Sequence, residues 1–323
     1  MGAMDVLITS AYPDAQPVTA FREMAARDRF GVHHVTEDAA AAGMILFVEN
    51  SHYDDDGFFR VLRRHPLVRA YPEKTFMYNE HDRPYCALPG VYCSMPAPWF
   101  DRRRQRATGY LLGPNPLVGE ARLNTAPDLL FSFAGRRNAP VRSRILALRH
   151  PAAHLADTTH LDAYVHLKDR RDEARSYVEL LGRSRFVICP RGVGTGSVRL
   201  FETLQAGRVP VIVSDDWVEP DGPRWDQLSL RVRESEIERI PALLEEHDAR
   251  WGEMARAARA AWEAWFAPEV RFHRMVESCQ EIARARTRPE AAVNRIPRPL
   301  LLYARYRARA AARRVALRLG RAG

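Results

Sequence analysis

The chain is predicted to be an α/β protein: two halves, each built on a parallel sheet, face one another across a cleft, and a basic tail follows. Three observations predict this. Short apolar runs alternate with helix-like stretches along most of the chain. The alternation breaks between Gly113 and Asp128, in GPNPLVGEARLNTAPD, and then restarts. At 323 residues, with 46% hydrophobic and 28% charged residues, the chain has the size of two ordinary domains and the composition of a globular protein. The expected division is residues 1–120, 121–285 and a tail over 286–323.

The elements follow in order. Asp5–Ser10 (DVLITS) is a short apolar run, read as a buried strand, and Thr19–Ala26 follows as a helix. Met44–Val48 (MILFV) is the second strand, with the polar loop Glu49–Asp56 after it and a helix over Phe58–Arg64. Lys74–Tyr78 (KTFMY) is a third strand, ending in Asn79–Asp82 (NEHD). In the second half, Leu129–Phe133 (LLFSF) is a strand and Pro140–Arg149 a helix. Phe186–Cys189, the helix Ser197–Ala206 and the strand Val209–Ser214 come next, with Gly207 where a left-handed helix cap is expected. Trp251, Trp262 and Trp265 fall near helical spacing and read as core packing.

Ser184–Asp216, SRFVICPRGVGTGSVRLFETLQAGRVPVIVSDD, carries the chemistry. It is a strand, a loop with Gly192, Gly194 and Gly196, and a helix with Ser197 as N-cap. Glycines let backbone amides approach a ligand closely, and the first turn of a helix presents free N–H groups to an anion. The segment therefore reads as a phosphate cradle. It is neither GxxxxGK[ST] nor GxGxxG. Arg199 and Glu202 lie three apart on one helix face, Arg199 matched to a diphosphate and Glu202 to vicinal ribose hydroxyls. The competing reading is a solvated ion pair.

This segment resembles the donor-binding core of the exostosin-type glycosyltransferases (family GT47). The shared pattern is Phe-x-x-Cys-Pro-x-Gly, Ser-x-Arg-x-x-Glu and a Pro-Val-Ile-Val-x-Asp strand, with Leu130–Arg137 (LFSFAGRR) similar to the family's Phe-x-Gly-x-x-Arg turn. The resemblance implies a GT-B-like arrangement of two Rossmann-like domains. It also implies inverting transfer from a UDP-sugar to a glycan or lipid-linked acceptor, with no cofactor and no metal. It assigns the diphosphate to Arg199 and to Arg136 or Arg137. Donor contacts fall to Pro190, Arg191, Gly192, Gly194, Thr195, Gly196 and Ser197, the ribose to Glu202, and the border of the donor site to Asp215.

Inverting transfer requires a general base, expected on a first-half loop at the C-terminal end of a strand. Glu80, His81 and Asp82 stand there, and they read equally as a polar turn. His52 with Asp54–Asp56 is the second set. Asp54–Asp56 contains a DxD spacing suited to a divalent metal, but a solvated loop is the favoured reading so far from the cradle.

Twelve arginines and one acid fall between Ile282 and Gly323, a charge of +11 within a total of +9, so the other 281 residues carry −2. The tail implies contact with an anionic membrane surface, set against a solvated extension; nucleic acid is not expected, because aromatic platforms are missing. Four cysteines without CxxC or zinc spacing read as buried thiols. The N-terminus lacks a secretory pattern and there is no run of 18 apolar residues, so a cytoplasmic location, peripheral to the membrane, is the expectation. The rival functions are a GDP-sugar (fucosyl-type) transferase, a non-catalytic nucleotide-sugar or anion-binding protein, and a polyanion binder acting through its tail.

Overall fold

A computed structural model describes residues 2–12, 16–49, 59–82, 85–111, 115–120, 126–161, 171–293 and 308. Two parallel sheets organise it. The first contains β1 (Asp5–Thr9), β2 (His34–Val35), β3 (Met44–Glu49), β4 (Thr75–Asn79), β5 (Gly90–Tyr92) and β6 (Gln105–Ala107), in the order β2-β1-β3-β4-β5-β6. Every neighbour pair in it is parallel. The connections carry α1 (Gln16–Ala26), α2 (Arg60–Arg64) and α3 (Pro66–Ala70). All six residues of β3 are buried, as befits a central parallel strand covered on both faces.

After α4 (Leu117–Glu120) the second sheet begins. Its strands are β7 (Leu129–Gly135), β8 (Ala153–Asp157), β9 (Ser184–Pro190), β10 (Val209–Val213) and β11 (Leu230–Arg231), ordered β11-β10-β9-β7-β8 and again parallel. Helices α5 (Pro140–Leu146), α6 (Arg171–Arg183) and α7 (Val198–Gln205) connect them, and α8 (Trp225–Leu228), α9 (Ile240–His247), α10 (Trp251–Trp265), α11 (Pro268–Ala285) and α12 (Glu290–Val293) complete the described chain. Two Rossmann-like domains thus face each other with the C-terminal ends of their strands toward one cleft, the GT-B-like arrangement.

Local chemistry sets the ends of α7. Gly207 adopts φ +60°, open to glycine at no steric penalty. Its amide donates to the Leu204 carbonyl (3.0 Å) and that of Arg208 to the Thr203 carbonyl (3.0 Å), the paired bonds of a Schellman motif. At the other end Ser197 has the extended backbone of an N-cap (φ −142°, ψ 124°), but its hydroxyl caps no amide.

The division by residue number needs two corrections. Helix α11 was assigned to the second half, yet it packs on the first: Phe272 meets Phe21 of α1 edge-on at 5.8 Å, and the Glu269 carbonyl accepts from the Arg29 amide at 2.9 Å. Its buried row of Val270, Met275, Val276, Cys279 and Ile282 recurs at helical spacing, so the apolar stripe decides where the helix goes, not its position in the chain. The tail is also folded where it begins. Arg104 holds Glu290 through two contacts of 2.8 Å, and Arg286 reaches Glu73 at 3.0 Å. Apart from residue 308, the arginine-rich stretch from 294 onward lies outside the described residues, so the membrane expectation does too.

Trp262 and Trp265 pack against the larger core and Trp251 against the core of the second sheet. Cys93, Cys189 and Cys279 are buried, and Cys86 is half-buried. No helix among the described residues is long and apolar enough to cross a membrane.

Candidate active site

The cleft between the two sheets encloses about 980 Å³. From the first domain Glu80, Asp82 and Tyr110 line it; from the second come Arg142, Gly192, Gly194, Gly196–Arg199 and Glu202. Of the sequence-selected residues, the fold brings together Glu80, Asp82, the three glycines, Ser197, Arg199 and Glu202.

Arg199 sits in the first turn of α7. Its Nη2 donates to the Ala134 carbonyl at 2.5 Å, and its guanidinium lies 4.7 Å above the Phe133 ring and 5.9 Å from that of Tyr177. Its Nε is buried with no hydrogen-bond partner among the described residues. Arg142, on α5, donates from Nε to the Arg191 carbonyl (3.0 Å) and from Nη2 to the Pro190 carbonyl (3.4 Å). Burial, and then the like charge of Arg199, pull the Arg142 guanidinium down to about 10, with Asp82 opposing. Among the described residues both side chains therefore hydrogen-bond only to carbonyls, and two cations share one wall with neither in a salt bridge. Two guanidiniums on one wall are chemistry suited to an anion.

Glu202 is 6% exposed. Oε1 accepts from the Asn115 amide (2.7 Å) and Oε2 from the Tyr177 hydroxyl (2.8 Å). Burial raises its carboxyl above the usual range, against these two bonds and Arg199. The solvated Arg199–Glu202 ion pair does not form. Instead Glu202 anchors Asn115, a residue of the interdomain connection, to the cleft floor.

Two of the three glycines have a purpose beyond the one their spacing implies. A Cβ on Gly194 would lie 2.1 Å from Asp82 Oδ1 and 2.2 Å from Ser94 Oγ; on Gly196 it would lie 2.4 Å from the Tyr110 hydroxyl. The Gly196 amide donates to Ser94 Oγ (3.1 Å), and Thr195 Oγ1 donates to the Ser94 carbonyl (3.1 Å). Missing side chains at 194 and 196 let the second domain close against the first. Gly192 faces Arg142, whose Nη2 would be 3.2 Å from a Cβ there.

On the first-domain wall, Glu80 Oε2 accepts from the Tyr78 hydroxyl (2.5 Å) and the Leu111 amide (3.0 Å). Burial pushes the Asp82 carboxyl above its usual value, while the Ser94 hydroxyl, the Gly194 amide and the Arg142 charge work against that rise.

The remaining selected residues lie off the cleft. His81 is buried against Phe59, ring centroids 6.3 Å apart. Arg136 donates to the Leu161 carbonyl at 2.5 Å, and exposed Arg137 pairs with Asp157 at 2.6 Å. Pro190 contributes its carbonyl to Arg142, and Thr195 is spent on Ser94. Arg191 grips Glu234 through contacts of 2.6 and 3.1 Å, and Asp215 Oδ1 accepts from the Glu234 amide at 2.9 Å. These last three residues hold a turn together. His52 and Asp54–Asp56 lie outside the described residues, among which no cluster of three or more His, Cys, Asp or Glu side chains stands ready for a metal.

Arg142, Tyr177, Asn115 and Ser94 escaped the sequence reading. Arg142 carried a signal: it stands in the basic run Val141–Arg144, just past Pro140 at the start of α5, where a side chain meets whatever binds above the strand ends. The other three become visible only through tertiary contacts.

Residues 118–247 match the Exostosin GT47 domain. The exostosin-1 homolog of Caenorhabditis elegans is 38% identical over 92 residues, 28% of this chain and 24% of that protein. A probable glycosyltransferase of Arabidopsis thaliana is 29% identical over 149 residues, 46% of this chain and 26% of that protein. The chain thus spans about a quarter of the length of these curated relatives. Among solved structures, sucrose-phosphate synthase from Thermosynechococcus elongatus aligns with a TM-score of 0.45 at 11% identity, covering 88% of this chain and 100% of that one. The matched stretch runs from α4 to the end of α9 and supplies Arg142, the glycine loop, Arg199 and Glu202: over these residues the chain is similar to the exostosin-type glycosyltransferases of family GT47.

Proposed function

We propose that the protein is an inverting glycosyltransferase that moves a sugar from a UDP-sugar to a hydroxyl of a glycan or glycolipid acceptor. The observation that carries this is the pair Arg142 and Arg199, held in one cleft wall with neither in a salt bridge among the described residues. A diphosphate supplies the missing negative charge, and the uncapped first-turn amides of α7 add hydrogen-bond donors at the positive end of the helix dipole. Each Glu202 oxygen accepts one hydrogen bond from the described residues and keeps a lone pair, so the carboxylate retains capacity for two ribose hydroxyls.

Asp82 is the proposed base. It lines the cleft opposite the arginines, and its raised affinity for protons brings it nearer the pH at which it would work. The acceptor O–H gives its proton to the Asp82 carboxylate as the acceptor oxygen bonds to the anomeric carbon. The bond from that carbon to the diphosphate oxygen breaks on the opposite face. The electron pair leaves with UDP, whose added charge Arg142, Arg199 and the helix amides stabilise.

The test is calorimetric binding of UDP, GDP and CMP to the wild type and to Arg142→Met, followed by transfer assays with the nucleotide-sugar that binds. UDP binding that weakens in the variant, with transfer lost in Asp82→Asn, supports the reading. Preference for GDP moves it to the fucosyl-type alternative. Tight UDP binding without turnover on any glycan acceptor would leave a nucleotide-binding protein.

A further inference from the structure

Ser94 follows Cys93 at the end of β5 and is 2% exposed. It stands where the two domains touch. Its Oγ accepts the Gly196 amide (3.1 Å), its carbonyl accepts the Thr195 hydroxyl (3.1 Å), and its hydroxyl stands beside the Asp82 carboxylate, Asp82 Oδ1 and Ser94 Oγ lying 2.1 and 2.2 Å from the point that a Cβ on Gly194 would occupy. Nothing in the sequence motifs or the family match, which covers residues 118–247, draws attention to it.

We propose that Ser94 is a positioning residue: it ties the second domain's glycine loop to Asp82, so that the loop beside the diphosphate site sets the orientation and proton affinity of the base. This rests on the reading of Asp82 as base given above. A hydroxyl is suited to the task, because one group accepts from an amide and donates to a carboxylate at the same time. The glycines complete the link, since a Cβ on Gly194 would stand 2.1 Å from Asp82 Oδ1 and 2.2 Å from Ser94 Oγ. Placement of the base is thereby coupled to closure of the cleft.

The charged and titratable groups facing Asp82 are Arg142 from α5, Tyr110 from the strand-end loop after β6, and Cys93 beside Ser94. Arg142 favours its carboxylate form, as do the Ser94 hydroxyl and the Gly194 amide; Tyr110 and Cys93 stay protonated, because burial pushes both well above their ordinary values. Removing the Ser94 hydroxyl deletes one stabiliser of the charged form, so the titration of Asp82 must move upward.

The experiment follows the Asp82 carboxyl carbon by ¹³C NMR titration in the full chain, with Asp82→Asn to identify its signal, alongside UDP binding and the pH profile of kcat. In Ser94→Ala the Asp82 titration is expected to rise by roughly one pH unit, and the acid limb of the kcat profile with it, from loss of one hydrogen bond to a carboxylate. The kcat value should fall roughly tenfold from the loss of orientation, while UDP affinity stays within about threefold because Arg142 and Arg199 are untouched. Gly194→Ala, which pushes on the same contact from the other domain, should show the same signature and serves if Ser94→Ala does not fold. An Asp82 titration and kcat unchanged in either folded variant overturn the proposal. Full transfer in Asp82→Asn overturns the base reading and this proposal with it. Unchanged UDP affinity in Arg142→Met would overturn the donor site alone, leaving the Ser94–Asp82 link to the NMR result.

Discussion

Arg199→Met separates binding from folding most cleanly. Among the described residues the guanidinium makes one hydrogen bond, to the Ala134 carbonyl, and stacks above Phe133 and Tyr177, while its Nε has no hydrogen-bond partner. Methionine keeps much of the apolar stem. What folding loses is a single bond and a stacked cation, together worth about 1–2 kcal/mol, and it gains relief from repulsion by Arg142, whose guanidinium should rise from about 10. The melting temperature should therefore move little. Binding should suffer far more. Hydrogen bonds to a charged group contribute about 1.5–3 kcal/mol, and at about 1.4 kcal/mol per factor of ten the UDP dissociation constant should rise roughly 10- to 150-fold. Calorimetry with UDP and with uridine, at low and high salt, tests this. Uridine carries no phosphate and should bind both proteins alike, and the salt dependence of UDP binding should shrink in the variant. Equal weakening of uridine and UDP, or no change in either, refutes the assignment of Arg199 to the diphosphate.

Three other predictions concern the framework. Glu202 has a raised carboxyl pKa in the fold, so folding takes up a proton there, and stability falls as pH climbs from the unfolded value through the folded one. Glu202→Gln escapes this, and its melting temperature relative to wild type should increase as pH rises above about 4.5; a constant difference would contradict the burial argument. Iodoacetamide at pH 8 should modify Cys86 in the native protein and reach Cys93, Cys189 and Cys279 only after denaturation, as mass spectrometry reads; burial shields all three and pushes Cys189 up to about 12. Glu290→Ala should lower unfolding stability by about 3 kcal/mol in denaturant titrations, because it strands Arg104, only 19% exposed, without its partner. A loss under about 1 kcal/mol would place that pair with ordinary surface contacts.

The long apolar strands were legible because a parallel strand buried on both faces has no polar alternation to disguise it: MILFV and VPVIV announce themselves. The strands β2, β5, β6 and β11, two or three residues each, were not legible, since pairing and not composition defines them. At the site, Arg199 and the glycine loop were found through local geometry, a turn feeding a helix. Arg136 and Arg137 show the limit of that method. Adjacent arginines at a strand end look alike in sequence, but Leu161 and Asp157 draw them aside, and it is Arg142, one turn into α5, that reaches the wall beside Arg199. That the glycines at 194 and 196 also admit the other domain was not legible, because a sequence does not record what presses on the same loop.

Helix α11, laid across the first sheet from the far end of the described chain, has a consequence for how the molecule is made. On a ribosome the residues of β1 and α1 emerge well before those of α11, so the groove that receives Phe272, Met275 and Val276 stays open until more than two hundred further residues have been synthesised. The first of the two domains is therefore sealed only after the second has been made, and a nascent chain halted before residue 268 exposes a sticky apolar seam to chaperones and proteases.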